Sequence, residues 1–396
     1  MQNYHKGLQT DVAILDFSKA FDTVPHDKLL LKLRNYGIHG PLLAWLSNFL
    51  SERTMRVLCE GTQSSEAKVD SGVPQGTVLG PLLFLCHIND LPECVKSQVR
   101  LFADDCLLYR AIHSERDKIA LQEDLEALEI WPETWGMRFN AKKCYIMHIT
   151  PKRNKQSHMY SFSGHILESV RDNPYLGLQI ADDLKWNTHI KRTVNKASIA
   201  LGMLRRNLKF LPRDTKSTAY ISMVRSILEY GSIVWDPYLQ RDIQLIEKVQ
   251  RRAARFIISD QLSDYKTNSP GFMTQTLKDI GLPTLQERRL YNRISFFHKV
   301  SNGLVPAIPA DIYLNPVDNK RRIKPKHFAG YVSKNLVVNR SRNNSKCFAN
   351  IETKCEQYKN SFFPRTIKDW NALDNNIVNE AKHELFKNKL KFQMFE

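Results

Sequence analysis

Carboxylates stand where two apolar runs of this chain come to an end. Residues 12–15 lead into Asp16 within AILDFSKAFD (13–22), and residues 99–102 lead into Asp104 and Asp105 within RLFADDCLLYR (100–110). The local pattern would otherwise call for hydrophobic residues at these places. An Asp-Asp pair between two short apolar strands reads as a hairpin turn, because aspartate tolerates turn dihedrals and hydrogen-bonds its own backbone. Like charges this close repel unless a cation neutralises them. Oxygen-only ligation suits hexacoordinate magnesium, and two such ions can clamp both oxygens of an in-line phosphoryl displacement. The chemistry these residues would support is nucleotidyl transfer.

Taken singly, each feature has a plainer reading. An aspartate after a strand is ordinarily a turn residue or a helix N-cap, and most Asp-Asp pairs lie in solvated loops. A third segment changes the weighing. SGVPQGTVLGPLLF (71–84) packs three glycines and two prolines around Gln75, then opens an apolar helix. Such a loop lets backbone approach a ligand closely, and the helix N-terminus behind it favours negative charge.

The ordered set resembles the reverse transcriptases of non-LTR (LINE-type) retrotransposons, and among them the jockey-like elements of animal genomes. LDFSKAFDTVPH (15–26) is similar to that family's motif A, SGVPQGTVLGPLLF to motif B and LFADD (101–105) to motif C. FNAKKCYIMHI (139–149) resembles motif D, and NPYLGLQI (173–180) resembles motif E, the primer grip. The likeness continues through WNTHI (186–190), LEYGSIVWDP (228–237) and FFPRTIKDWNAL (362–373), and so covers nearly the whole chain.

The resemblance implies an α+β fold. Residues 1–182 would form a right-hand polymerase palm, an antiparallel sheet backed by helices, with incomplete fingers. Residues 183–258 would be a helical thumb-like region, and 259–396 a basic, mixed C-terminal region. The resemblance also implies roles. Asp16 and Asp104 would bridge two magnesium ions (or manganese), with Asp105 a more outer ligand and the Phe17 carbonyl completing a site. One ion would lower the pKa of a primer 3′-hydroxyl, and the other would neutralise the triphosphate and leaving pyrophosphate. Phe21 matches the steric gate, whose ring would clash with a ribose 2′-hydroxyl; as plain packing beneath the site it would serve the same end. Gln75 and Gly76 would hold the incoming nucleotide. Lys143, set by the N-x-x-K-C spacing from Asn140, would be the general acid for pyrophosphate, with Lys142 as substitute. Tyr175, Leu176 and Gly177 would support the primer end, or simply close a strand. Implied partners are an RNA template, a DNA primer and deoxynucleoside triphosphates, and the implied location is intracellular, in nucleus or cytoplasm, the nucleus for action on chromosomal DNA.

Charge is distributed unevenly. The 396 residues carry a formal net charge of +17. Residues 1–150 hold 16 Lys+Arg against 19 Asp+Glu, leaving 42 of the 58 basic and 22 of the 41 acidic residues to the rest. A near-neutral half joined to a strongly basic one suits an enzyme whose other parts hold a polyanion. Basic stretches such as Arg205–Arg206, Arg251–Arg252 and KRRIKPK (320–326) would include both nucleic-acid contacts and solvated helix faces. No apolar run reaches the length of a membrane span, and no signal-peptide pattern occurs. Seven cysteines, odd in number and without a CxxC pair, suit reduced thiols. Cys347, Cys355, His327 and His383 lack zinc-knuckle spacing and read as structural.

Periodicity supplies the elements that would position these residues. Residues 11–17 read as a central strand; a helix follows Pro25 and closes at Gly37, and a second follows Pro41. Strands at 54–60 and 66–70 flank a turn at Gly61. A buried helix over 78–88 precedes the Asp104–Asp105 hairpin. Leu121, Leu125, Leu128, Trp131 and Trp135 share one helical face and read as core. A strand at 145–149 and a β-rich piece to 180 follow. Beyond Trp186, helical spacing covers 188–208, 214–230, 240–258 and 284–301, and 302–345 reads as a long basic loop.

Departures from the family pattern are few. Motif A begins close to Met1, where the family carries upstream fingers and usually an endonuclease domain, so the expectation is the downstream part of a longer element protein. His87 stands where tyrosine is common, and Asp374 where proline usually follows W-N-x-L. Two functional readings stay open: an RNA-directed DNA polymerase, and a nucleic-acid-binding relic unable to polymerise. Against a third, an intron maturase-type protein, stand the L-G-P-L and W-D-P segments and the lack of an Arg/Ser-rich leader.

Overall fold

The computed structural model describes residues 1–259, 271–308, 310–317 and 345–395. KRRIKPK and His327 lie outside the described residues, as does most of the expected loop at 302–345. The described chain falls into two units, one of Gln2–Leu176 with Ala181–Leu184, the other of Gly177–Ile180 with Lys185–Glu396.

The first unit is built on a five-stranded sheet. Its strands are β1 (Gln9–Asp16), β2 (Gln98–Phe102), β3 (Asp105–Ile112), β4 (Tyr145–Ile149) and the short β5 (Glu168–Ser169), in the order β5-β4-β1-β3-β2. β1 lies in the middle, antiparallel to both β3 and β4. Its residues alternate between fully and partly buried, as a period of two requires when one face meets the core. Ala13 and Leu15 pack with Leu108 and Ile146 from the flanking strands and with Leu121, Leu125, Leu128 and Trp131. The last four come from α4 (Glu115–Trp135), started by a Ser114–Asp117 capping box and stopped at Gly136, whose φ is 81°.

After a single helical turn at Gln2–His5, the helices α1 (His26–Asn35), α2 (Gly40–Leu50) and α3 (Leu79–Ile88) precede α4. α3 differs from the expected buried helix. Leu83, Phe84, His87 and Ile88 face the core, but Leu82 and Leu85 are about half exposed and Val78, just before the helix, is 93% exposed. A continuous apolar run carries no period, so its buried side cannot be chosen from the letters alone. Around Gly61, Leu58–Cys59 pairs with Thr62–Gln63, and farther out Arg53–Met55 pairs with Ala67–Val69.

β1 also carries a buried charge. Asp11 accepts hydrogen bonds from Gln9 Nε2 (2.8 Å) and Tyr160 Oη (2.8 Å), and lies 2.9 Å from His148 Nδ1 on β4. Three partners around one carboxylate satisfy its lone pairs and fix the register of β1 against β4.

The second unit is mainly helical: α5 (Asn187–Asn207), α6 (Arg213–Tyr220), α7 (Gln240–Ile257), α8 (Leu285–Ser301), α9 (Phe362–Asn371) and α10 (His383–Phe395). The expected helix at 214–230 is present with one irregularity: α6 passes into a π-helical stretch at Ile221–Arg225 before Ser226–Glu229. Two cores form. Leu201, Tyr220, Trp235, Ile246 and Leu285 belong to one, and Ile294, Phe297, Trp370, Phe386 and Leu390 to the other. α8 thus serves both.

A buried ionic cluster lies beside α8. Asp236 meets Arg289 Nε at 2.9 Å and Arg365 Nη1 at 3.2 Å, and pairs with Arg293, which also pairs with Asp369. Burial alone would raise the pKa of Asp236, but Arg365, Arg293 and Arg289 hold it below the usual carboxylate range. Cys347 is buried and His383 packs against His298. No helix among the described residues is long and apolar enough to cross a membrane.

Candidate active site

Strand register brings the three aspartates to one end of the sheet. Along β1 and β3, Leu15 stands opposite Cys106 and Asp16 opposite Asp105. β2 and β3 pair with Phe102 opposite Asp105, so Ala103 and Asp104 form the tight turn between them. Asp104 therefore sits on the hairpin tip, one residue from its neighbour on the strand. The turn bends through Ala103, whose φ of 49° is left-handed. A side chain in that region costs roughly 1–2 kcal/mol, so this hairpin is held by its strands rather than by local preference.

The carboxylates sense one another. Burial raises the pKa of Asp16, the Lys143 ammonium opposes that rise, and the charge of Asp104 adds to it. Asp105 is raised by burial first, then by Asp104 and Asp16. Lys143 Nζ stands 4.0 Å from Asp16 Oδ2 and is largely exposed. Its position follows from the chain just before it. The Asn140 N–H donates to the Asp16 carbonyl (2.7 Å) and the Ser18 N–H to the Arg138 carbonyl (2.8 Å), bridging Phe17 to Phe139. Their rings stack at 4.1 Å. In this pairing the carbonyl of Phe17 points away from Phe139, toward the strand side on which the Asp104 turn lies. The Asp16 N–H reaches Cys144 Sγ at 3.5 Å, and burial pushes that thiol up to about 11.

The glycine-rich segment grips the far end of motif A. Ser71 Oγ donates to the Asp22 carbonyl (2.8 Å), the Gly72 N–H to the Val24 carbonyl (2.8 Å) and the Val73 N–H to the Phe21 carbonyl (2.8 Å). Gln75 Nε2 donates to Asp22 Oδ1 at 2.9 Å. Gly72 has φ 86°, and a Cβ there would lie 2.8 Å from the Asp22 backbone; at Gly80 one would lie 2.1 Å from the Pro74 carbonyl oxygen. These two glycines permit close approach, whereas Gly76, at φ 77°, faces open space. Phe21 is half-buried and stacks on Phe84 of α3, centroids 4.4 Å apart.

Residues 2–180 match the family described as Reverse transcriptase (RNA-dependent DNA polymerase). This segment is a reverse transcriptase domain. Across 81% of the chain, similarity extends at 28% identity to the "Probable RNA-directed DNA polymerase from transposon BS" of Drosophila melanogaster, of which it covers 35%. Across 62% it is 29% identical to the "RNA-directed DNA polymerase from mobile element jockey" of the same organism, covering 28% of that protein. The chain thus spans about a third of the length of these curated relatives. A solved apo telomerase from Candida tropicalis aligns with 69% of this chain and 46% of its own, at 11% identity and a TM-score of 0.37.

Reverse transcriptases generally use divalent metal ions, and the residues of this domain can be tested for fit. Among the described residues, no three His, Cys, Asp or Glu side chains gather into a metal-binding group. Magnesium does not need one: it keeps several waters and is held by one or two carboxylates together with substrate phosphates. Asp16 and Asp104, with the Phe17 carbonyl turned toward the same side, suit that sparse donor set. Burial first, and then the charge of Asp104, raises both Asp16 and Asp105, and a bound cation would relieve the repulsive part.

The remaining sequence-derived residues are placed less uniformly in the reverse transcriptase domain. Tyr175 is half-buried, and burial, then the nearby charge of Asp105, raise its phenol. Leu176 has φ 47°. Gly177 falls in the second unit, with φ 77° and room for a Cβ limited to 3.0 Å by the Tyr230 ring. Lys142 shares the turn at Ala141–Lys143 without a comparable approach to Asp16. Sequence reasoning missed Asp22, the acceptor that orients Gln75, and Cys144, the acceptor behind Asp16. Asp22 closes the AILDFSKAFD segment already singled out; Cys144 carried no signal beyond its place after Lys143.

Proposed function

We propose that this chain carries the polymerising part of a non-LTR retroelement protein, an RNA-directed DNA polymerase adding deoxynucleotides to a primer 3′-hydroxyl. The observation that carries the reading is the register of Asp16 against Asp105 with Asp104 on the adjoining turn. It gives oxygen donors from two strands at one sheet end, as a two-metal displacement needs. The sheet with α3 and α4 serves as palm, and α5 to α7 as thumb. Bound magnesium would lower the pKa of the attacking hydroxyl and neutralise charge on the phosphates.

The chain's own residues do the rest. Asp16, Asp104 and the Phe17 carbonyl hold the ions, with Asp105 as outer support. Phe21, backed by Phe84, occupies the space a ribose 2′-hydroxyl would need. Gln75, oriented by Asp22, meets the incoming nucleotide where Gly76 leaves room for it. Lys143 offers a proton to the leaving pyrophosphate. Tyr175 and Leu176 support the primer end. Template and product are an RNA–DNA hybrid, and action on chromosomal DNA would place the protein in the nucleus.

The test is primer extension by the 396-residue chain on an RNA template with magnesium, beside Asp104→Asn. The asparagine cannot balance metal charge, and its rate should fall at least ~100-fold, the equivalent of about 3 kcal/mol of transition-state stabilisation. More than a few per cent of parental rate in the variant would sink the ligand assignment. Tight hybrid binding by the parent without any extension would favour the relic reading instead.

A further inference from the structure

The turn between α5 and α6 presents an aromatic ring where no ordinary packing role explains it. Phe210 is 89% exposed. It sits in a tight turn closed by the Leu211 N–H donating to the Leu208 carbonyl (3.2 Å), and the partly exposed Leu211 and then Pro212 follow it. The Lys209 ammonium lies 5.1 Å from the centre of the Phe210 ring. A single exposed hydrophobic residue would be unremarkable. The surroundings of this one are not.

From 184 to 213 the chain holds eight Lys and Arg and no Asp or Glu. Lys185, Lys191, Arg192, Lys196, Arg205, Arg206 and Lys209 are all exposed. Buried Ile190, Ala197, Leu201 and Leu204 occupy the opposite face of α5, so the basic residues are forced outward onto one side. Arg213 is turned aside, donating to the Asp279 carbonyl at 2.7 Å. What remains is a cationic helix face running to a projecting, cation-capped ring. Cationic tracks that follow a sugar-phosphate backbone, with aromatic faces on which bases stack, are how proteins hold unpaired nucleic acid.

We propose that the turn at 208–212 is a base-stacking site for a single-stranded nucleic acid whose phosphates lie along the exposed face of α5, with Phe210 as the platform. Duplex held by charge alone would not need the ring, because paired bases offer their faces only at an end. Binding there can be measured without nucleotides or divalent ions, so the readout is independent of the carboxylate chemistry.

The test uses the full chain and four fluorescent probes: a single-stranded RNA, the DNA of the same sequence, that DNA with abasic residues throughout, and a duplex with closed hairpin ends. Phe210→Ala should weaken binding of the two base-bearing single strands by about 5- to 150-fold. Abasic strand and duplex should change less than ~2-fold, as their binding is charge-driven. Phe210→Trp should retain the affinity. Replacing Arg205 and Arg206 together by Gln should instead weaken all four probes and flatten the salt dependence. A loss confined to RNA would add a 2′-hydroxyl contact to the stacking. The proposal is overturned if Phe210→Ala leaves single strands unaffected, or weakens the abasic strand equally. It is also overturned if the variant alters only self-association in light scattering, which would assign the ring to a second copy of this chain. The ring is solvent-exposed, so loss of the fold does not confound the substitution.

Discussion

Asp16 and Asp105 face each other across two strands; burial first, and then the charge of Asp104, raises the pKa of both, and Asp16 adds to the rise at Asp105. In the absence of metal both therefore bind protons more tightly in the folded chain than in the unfolded one. Stability from this pair is present at and below the ordinary carboxylate range and is lost as pH rises through the raised values. The expected outcome is that Asp105→Asn, in EDTA, gains thermal stability over the parent as pH climbs through that window. Added magnesium should erase the gain. A parent-to-variant difference that is constant with pH would refute the coupling. Phe21 gives a second expectation. Its ring is fixed by the stack on Phe84, so Phe21→Ala should reduce discrimination against ribonucleotides by roughly 10- to 200-fold, measured by single-nucleotide insertion. Equal selectivity would mean that the ring is only packing. The aspartates were legible because each breaks a local apolar pattern. The Asp11–His148–Tyr160 group was not, because His148 and Tyr160 lie 137 and 149 residues from Asp11 and reach it only once β4 and the segment after it pack beside β1.

At the scale of elements, the site depends on how closely the 71–80 segment can approach motif A. Gly72→Ala would place a Cβ against the Asp22 backbone and hold a side chain at φ 86°. The dihedral alone costs about 1–2 kcal/mol, and the overlap must be relieved by moving Asp22, which carries the Gln75 hydrogen bond. Gly72→Ala should therefore lower the midpoint of thermal unfolding and raise the KM for deoxynucleotide. Ser71→Ala, which removes one hydrogen bond, should do less. An unchanged KM in Gly72→Ala would separate the loop from nucleotide binding. Element boundaries were legible where a helix announced its ends, as at Pro25 and Gly37. The exposed side of α3 was hidden by a run without period, and the π-helical stretch at Ile221–Arg225 by the lack of any residue signature for one extra residue in a turn.

Across the molecule, the uneven charge predicts binding behaviour. Hybrid affinity should fall steeply with salt, with a logarithmic slope of about −0.9 per phosphate neutralised on B-form duplex. Titration of binding at several salt concentrations reads that slope, and a flat response would remove the polyanion-holding role of the basic half. The charge asymmetry was visible in composition. The buried part of it was not: Arg289, Arg293 and Arg365 count toward the positive total yet are spent on Asp236 and Asp369. Asp236→Ala should destabilise the second unit by about 3–5 kcal/mol, because it strands buried arginines. The folded-state pKa of Asp236 is depressed, so its contribution holds above the ordinary carboxylate range and is lost as pH falls through the lowered value. Denaturant melts of parent and variant at neutral and acidic pH should converge toward the acid end.

The sharing of α8 between two cores bears on how the polypeptide is made. Leu285 is committed to the earlier helices, while Arg293 and Ile294 wait for Asp369 and Trp370, which leave the ribosome much later. A chain released before Phe362 would lack the Asp369 partner of Arg293 and leave a bare apolar stripe along α8, a mark that proteases and chaperones recognise in unfinished proteins. Residues from Phe362 onward would then decide how long the folded chain survives. Pulse-chase comparison of the full chain with one ending at residue 361 would show it, the shorter product decaying markedly faster. Equal half-lives would leave α8 as a helix that merely touches two cores.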